Sequence, residues 1–432
     1  MERITLTSPF FKQNHFNQSE AAVFRPGQIF QGKVTKLFPN QTAEVQVGNQ
    51  KFIALLEAPL SNQERYLFQV QPGEGKIHLK VLTTSHEGGT ASINHAEQAL
   101  AQLKLPSTKE NIEIIRSFLQ NGLPISKETI QLSSEWLKSA PSLKQGLEVI
   151  QQMFEKNLPF SNEIFNALSS LQKNEPLHSL VSNLLSSLKE TELTETGTIL
   201  KNILPKLTVA EKENVGGQAP LITVQLKKFI SHFGFDYEHN LHQFINNKTK
   251  DGSFHTEMVK PLLIQFINEQ PPLMQKEAAE QLLNRITGLQ VLSQETGPIM
   301  QFVVQIPISF WNKTTDLTMQ WSGRKKPNGK IDPDFCRILF YLDLEHIKET
   351  MIDVQVQNRI MRITVINENQ ELKKLAMKFL GELKEKLSAF NFHLSAVHFE
   401  TPHEQLLKPS PASKKLRSVF DPNKYQGVDL KI

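Results

Sequence analysis

His239 and His242 stand three residues apart beside Glu238, a spacing that on one helical face offers two imidazoles to a metal ion. No H-E-x-x-H pattern and no acidic third ligand accompany them, so they read as surface or packing histidines. Cys336 is the single cysteine; it opens an apolar strand pattern, where burial raises a thiol pKa and suppresses reactivity. One cysteine also excludes an intramolecular disulfide framework and a cysteine zinc finger, and fits a reducing compartment. Gly73-Glu74-Gly75-Lys76 lacks both the spacing of a phosphate loop and the helix that must follow it, and reads as a hairpin turn. Asp332-Pro333-Asp334 pairs carboxylates, but in a setting where turn chemistry alone accounts for aspartate. With no G-x-G-x-x-G after a strand and no G-x-S-x-G, the sequence offers no catalytic residue, no metal ligand set and no cofactor site. The expectation is a protein that is not an enzyme.

Two features suggest binding instead. Arg324-Lys325-Lys326, with Lys330 nearby, forms a small basic cluster suited to an acidic partner or simply to a solvated hairpin loop, and solvation is the plainer reading. Phe30, Phe38, Phe52 and Phe68 are spaced as a base-stacking platform or as a barrel core; few Arg and Lys accompany them, which favours the core. Overall charge decides nothing here: 48 Lys+Arg against 44 Asp+Glu leave +4 over 432 residues, which excludes a polybasic design. That length suggests about three domains. The first 24 residues contain no apolar run of signal-peptide length, and no uncharged apolar stretch is long enough to cross a bilayer.

The elements that would carry such residues follow from periodicity. Beyond a polar tail at 1–24, residues 25–84 alternate with period two, as in Val45 and Val47 or Ile77, Leu79 and Val81, and turn residues separate about five short strands. Five such strands predict a small closed barrel of SH3 or OB type. From 95 to 208 the period becomes helical, and a phrase recurs: Leu105-Pro106-Ser107-Thr108-Lys109-Glu110, Leu123-Pro124-Ile125-Ser126-Lys127-Glu128 and Leu158-Pro159-Phe160-Ser161-Asn162-Glu163. Each predicts a helix start, with Ser or Thr capping and Glu at the positive dipole end. A second helical module spans 221–292, with helices at Leu221–Phe233, Glu238–Asn246, Glu257–Glu269 and Met274–Leu292. Strands return from 297 to 400, with a tight turn at Gln357-Asn358 and a long helix capped by Asn367. Leu372, Leu375, Phe379, Leu383, Leu387 and Phe390 give that helix an apolar face to lay on the sheet, completing a β-α-β unit before a polar tail at 401–432. The fold class is thus α+β multidomain: an N-terminal small β-barrel, a middle all-α helical region and a C-terminal mixed α/β sheet domain.

Phe233-Gly234-Phe235-Asp236-Tyr237-Glu238, then Glu280–Gln290, then Gly297-Pro298 leading into a strand resembles the stretch before the C-terminal domain of Firmicutes-type flagellar hook-length control (FliK-like) proteins. Leu342-Asp343-Leu344-Glu345 followed by Ile352-Asp353-Val354, and the hairpin, helix and strand to Phe399, is similar to that domain itself. The helix-start phrases and Arg25-Pro26-Gly27-Gln28 match as well, so the resemblance spans nearly the whole chain.

The resemblance implies a non-enzymatic hook-length control factor, or a paralogue of one. Its C-terminal domain would dock on the cytoplasmic domain of the export gate protein FlhB and switch type III export from hook to filament substrates. Hook or hook-cap subunits would be further partners, with neither nucleic acid nor direct membrane insertion and no cofactor. Location would be cytoplasmic or, using residues 1–24 as the signal, exported through the same apparatus. Two departures stand out: Ile347-Lys348 replaces the Leu-Gly that the family often carries, and the middle is helical where many members carry a disordered ruler. Residues placed to contact a partner are Arg324, Lys325, Lys326, Leu344, Ile347, Asn358 and Arg359. The residues alone leave a second function open, a single-stranded nucleic-acid binder acting through an OB-like barrel.

Overall fold

Strands β1 (Ile29–Phe38), β2 (Thr42–Val47), β3 (Gln50–Leu56), β4 (Arg65–Gln71) and β5 (Ile77–Thr84) close into a barrel in the order β1-β2-β3-β5-β4. The structure is a computed structural model describing residues 25–48, 50–73, 77–84, 89–173, 175–189, 193–207, 209–210, 226, 228–234, 258–293, 295–296, 299–310, 313–326 and 331–402. Within the barrel β3 and β5 run parallel and the other pairs antiparallel, which is the Greek-key closure of an OB-type barrel. Phe30, Val34, Val45, Phe52, Phe68 and Leu79 fill its interior. Phe30 meets Phe52 edge-on at 6.0 Å and Phe68 at 5.7 Å, so three of the four barrel phenylalanines are core. Gly32 sits where a Cβ would come within 2.7 Å of Val45 Cγ1; only glycine lets β1 pass that close. Asn40 and Gln41 both take left-handed backbone angles in the three-residue connection Pro39–Gln41, which reverses the chain between the paired Phe38 and Thr42.

The chain divides into two compact units, Met1–Phe165 and Asn166–Ile432. In the first, the barrel is followed by α1 (Gly89–Leu103), α2 (Lys109–Gln120), α3 (Lys127–Ser139), α4 (Leu143–Glu155) and the start of α5 (Asn162–Gln172). All three helix-start phrases precede a helix, and two of them show the expected cap. Thr108 accepts a hydrogen bond from Asn111 N at 3.2 Å, and Ser126 forms a reciprocal capping box, with Thr129 as its partner in place of a Glu. Ile29 and Ile125 exchange two backbone hydrogen bonds of 2.7 Å each, stapling β1 to the α2–α3 connection.

The second unit holds α6 (Leu177–Ser187), α7 (Glu195–Ile203), a helical stretch at 228–233, α8 (Val259–Asn268) and α9 (Leu273–Leu292). The expected helix Glu238–Asn246, with His239 and His242, lies outside the described residues, as does the whole Phe235–Glu238 segment. The sheet follows: β6 (Val209–Ala210), β7 (Glu295–Thr296), β8 (Ile299–Phe310), β9 (Lys313–Lys325), β10 (Ile331–Leu344), β11 (Lys348–Gln357), β12 (Ile360–Asn367) and β13 (His393–Glu400). Its order is β13-β12-β11-β10-β9-β8-β6, with β7 pairing β8. The β12–β13 pair is parallel, as a β-α-β unit requires, and α10 (Leu372–Met377) and α11 (Leu380–Ala389) form the crossover. Val303–Pro307 of β8 are buried on both sides, so α6, α8 and α9 enclose this end of the sheet while the β13 end is thinly covered.

Three local expectations are corrected. Asp332-Pro333-Asp334 lies inside β10 at a register irregularity, where Asp332 accepts from the Asp334 N–H. The β11–β12 turn is Asn358-Arg359, both left-handed, one residue beyond the expected pair. Asn367 is not the helix cap: its buried amide donates to Ile347 O, Glu349 O and Thr350 Oγ1, tying β12 to the start of β11.

Candidate functional site

The expected covering helix is two short ones. The break at Lys378-Phe379 interrupts the apolar stripe, so that of its six residues only Leu387 packs into the cluster on Val354, Val356, Met361 and Ile363. Leu375, Met377, Phe379, Leu383 and Phe390 stay exposed, Phe379 by 66% and Phe390 by 69%. An exposed apolar set of this kind makes the α10–α11 surface a candidate docking site. Sequence reasoning found Leu375, Phe379, Leu383 and Phe390 and assigned them to the sheet contact; the available signal for the break was Gly381, a weak helix former in the first turn of α11.

The sequence-predicted partner residues fall into two groups. Arg324, Lys325, Lys326, Asn358 and Arg359 gather at one end of the sheet, where β9 finishes, β10 begins and β11 turns into β12. Leu344 and Ile347 lie at the opposite end, between β10 and β11. The basic residues are not in a free loop: Arg324 and Lys325 belong to β9, Arg324 lies 5.5 Å above the Phe335 ring, and Lys326 pairs with Asp332 at 3.1 Å. The hydrogen bond from the Asp334 N–H, followed by Lys326, holds the Asp332 carboxyl below its ordinary range. Arg359 binds Asp334 at 2.8 Å and lies over Phe392. Cys336 is half-buried beside this end, and burial pushes its thiol up, away from nucleophilic chemistry.

A buried polar network was missed. Arg285 of α9, 2% exposed, donates to Glu175 O at 2.7 Å and more weakly to Lys173 O and to Gln305 Oε1 of β8. Burial, offset in part by Asp316 and Glu175, lowers its pKa to about 10, which leaves it cationic. Asp316 of β9 caps α6 through Leu177 N and His178 N and accepts from the His178 ring, whose pKa that bond raises. The available signal was a cation at a core position, since Arg285 sits between Leu282 and Ile286 in the α9 apolar period.

On the barrel, cross-strand register builds an outward face on β1, β2 and β3. One row runs Arg65, Lys33, Gln46, Lys51; the next Lys36, Glu44, Ile53; the last Phe38, Thr42, Leu55. Phe38 is 41% and Ile53 52% exposed, so an aromatic and an aliphatic surface lie beside four cations. Glu44 is the anion among them; the Thr35 hydroxyl at 2.6 Å, then Lys51, hold its carboxyl below the ordinary range. The outer side of β1 and β4 is closed, with Ile29 and Leu67 buried and Gln102 of α1 donating to Gln69 Oε1 at 2.9 Å. Among the described residues no three His, Cys, Asp or Glu side chains gather as metal ligands, and no helix is long and apolar enough to cross a membrane.

Comparison with known proteins adds two findings. A family model described as the TP0910 S1-like domain matches residues 6–80, under a fifth of the chain and including all but the end of the barrel. The chain is also 32% identical over 157 residues to a Bacillus subtilis (strain 168) protein named "Uncharacterized protein YlqG". That match covers 36% of this chain and 26% of the relative, so the chain spans about a quarter of that protein's length. No solved structure matches.

Proposed function

We propose that this chain is a non-enzymatic docking factor of a flagellar type III export system, acting as a hook-length control or export-specificity switch protein. Its C-terminal module engages the cytoplasmic domain of an FlhB-like export gate. The observation that carries the reading is the apolar surface of α10 and α11, where Leu375, Phe379, Leu383 and Phe390 remain open to solvent on a folded sheet module. Exposing that much apolar side chain without a partner costs solubility, and soluble chains retain such patches where they bind. The family resemblance of the C-terminal strands supplies the kind of partner. The test is a pull-down of the full chain with the purified cytoplasmic domain of the gate. Capture by the wild-type chain, and loss of capture with Leu375→Ser and Phe379→Ser at unchanged melting temperature, supports the reading. No capture with both partners folded counts against it.

A second reading is favoured by one specific pairing of observations, the S1-like match and the outward β1–β2–β3 face. There Phe38 offers a stacking surface, and Lys33, Lys36, Lys51 and Arg65 offer phosphate contacts for a single strand. With three or four phosphates engaged, log affinity for a single strand would fall against log salt with a slope of about −2 to −3. A flat salt response at low affinity removes this reading.

A further inference from the structure

We propose that the α10–α11 crossover is itself the inserted element of the docking contact, and that the protein partner grips it in an apolar groove rimmed by carboxylates. The inference rests on the docking reading and adds to it the shape and charge of the surface that is met.

The crossover stands on the sheet as a ridge. No residue of α10 or α11 is fully buried. Leu387 reaches the cluster on Val354, Val356, Met361 and Ile363, while Leu372, Ala376 and Leu380 are half-buried. The far end of the ridge is fixed in place. The Phe392 N–H donates to Leu387 O at 3.0 Å, and Arg359, 5.4 Å over the Phe392 ring, donates weakly to Phe390 O.

Apolar exposure runs along more than one side of this ridge. Leu375 and Met377 are 52% and 58% exposed. Two residues apart on a helix is about 200° of rotation, so they point to different sides of α10. Phe379 at the break, Leu383 in α11 and Phe390 just past its end are exposed as well. A flat partner would cover one side and leave Leu375 or Met377 in water; a groove covers both, as grooves that receive helices do.

Charge gives the rim. From Glu371 to Phe390 the chain carries five lysines and three glutamates. Lys374 pairs with Glu371 at 2.8 Å and Lys386 with Glu382 at 2.7 Å. Lys373, Lys378 and Lys384 are exposed and have no ion pair among the described residues, against Glu385 alone, so three cations less one anion leave an excess of two. Each of these lysines lies within two residues of an exposed apolar side chain. A second copy of the chain would set this excess against itself, which electrostatic complementarity disfavours. Interleaved glutamates interrupt the cationic track that a phosphate backbone needs, and apolar side chains on both sides of α10 do not lie flat in a bilayer surface. Carboxylates above an apolar cleft fit both features of the ridge.

The test measures affinity of the full chain for the gate's cytoplasmic domain at about 50 and about 300 mM salt. Leu375→Ser and Met377→Ser, made separately, should each weaken binding roughly tenfold, because each takes an apolar side chain out of the groove. The double variant Lys378→Glu with Lys384→Glu should lose roughly tenfold at low salt and flatten the salt dependence, whereas Glu385→Lys should tighten binding. Unchanged melting temperature shows that these exposed substitutions leave the fold intact. If the wild-type chain binds and Met377→Ser binds as tightly, the contact is one-sided and the groove is overturned while the docking reading stands. Wild-type affinity and salt response in the double variant overturn the carboxylate rim. If the wild-type chain does not bind, the docking reading fails and the inference with it. Phosphatidylcholine–phosphatidylglycerol vesicles bound by wild type and lost in the double variant would overturn the assignment to a protein groove.

Discussion

Arg285 shows how much a single buried cation organises in this chain. It reaches Lys173 O and Glu175 O, just before α6, and Gln305 of β8, so its removal leaves carbonyls facing apolar surroundings without donors. Arg285→Met, close in volume, should destabilise the chain by about 2–4 kcal/mol in urea unfolding, because an unsatisfied buried acceptor costs more than the bond itself returns. His178 gives a pH signature in the same neighbourhood. Asp316 raises its pKa above the ordinary 6.5, so the pairing stabilises the fold fully below that pH and fades as pH climbs through the raised value. The gap in melting temperature between wild type and His178→Asn should therefore be widest near about pH 5.5 and close toward about pH 8. A gap that grows with pH would contradict the pairing.

At the scale of elements, the barrel separates core from surface along β1. Phe68→Ala opens a cavity in a fully buried cluster and should cost about 3–5 kcal/mol, while Phe38→Ala, on the exposed end of β1, should stay within about 0.5 kcal/mol in the same denaturation series. The barrel was legible because period-two alternation and turn residues at Pro39-Asn40 and Gly48-Asn49 are local signals, and the five strands follow one another. The helix starts were legible for the same reason, since a cap acts within four residues: Thr108 and Ser126 do what their types predict. Legibility ended where distant partners decide. Asn367 has the side chain of a cap, but a cluster of acceptors at Ile347, Glu349 and Thr350 claims it. The stripe from Leu372 to Phe390 has the spacing of a covering helix, but which face meets the sheet depends on the break at Lys378-Phe379. Of the candidate site residues, the sequence could group Arg324 with Lys325 and Lys326, and Asn358 with Arg359; that β10 joins those two groups and sets Leu344 and Ile347 apart is a matter of sheet register.

For the whole molecule, the proposed reading places function on two surfaces. The C-terminal sheet presents an unpaired apolar helix face and an arginine–aromatic end, and the N-terminal barrel presents a cationic face of OB type. The central claim is that the α10–α11 face of the C-terminal module is covered in the working state by a protein partner at the export gate. Calorimetric titration of the full chain with the gate's cytoplasmic domain, repeated at several temperatures, addresses it most directly. The account predicts saturable binding with a negative heat-capacity change, the mark of apolar burial, and its loss in Phe379→Ser. Absence of any heat of binding with both proteins folded, alongside tight and salt-sensitive binding of a single-stranded oligonucleotide by the same preparation, would contradict it.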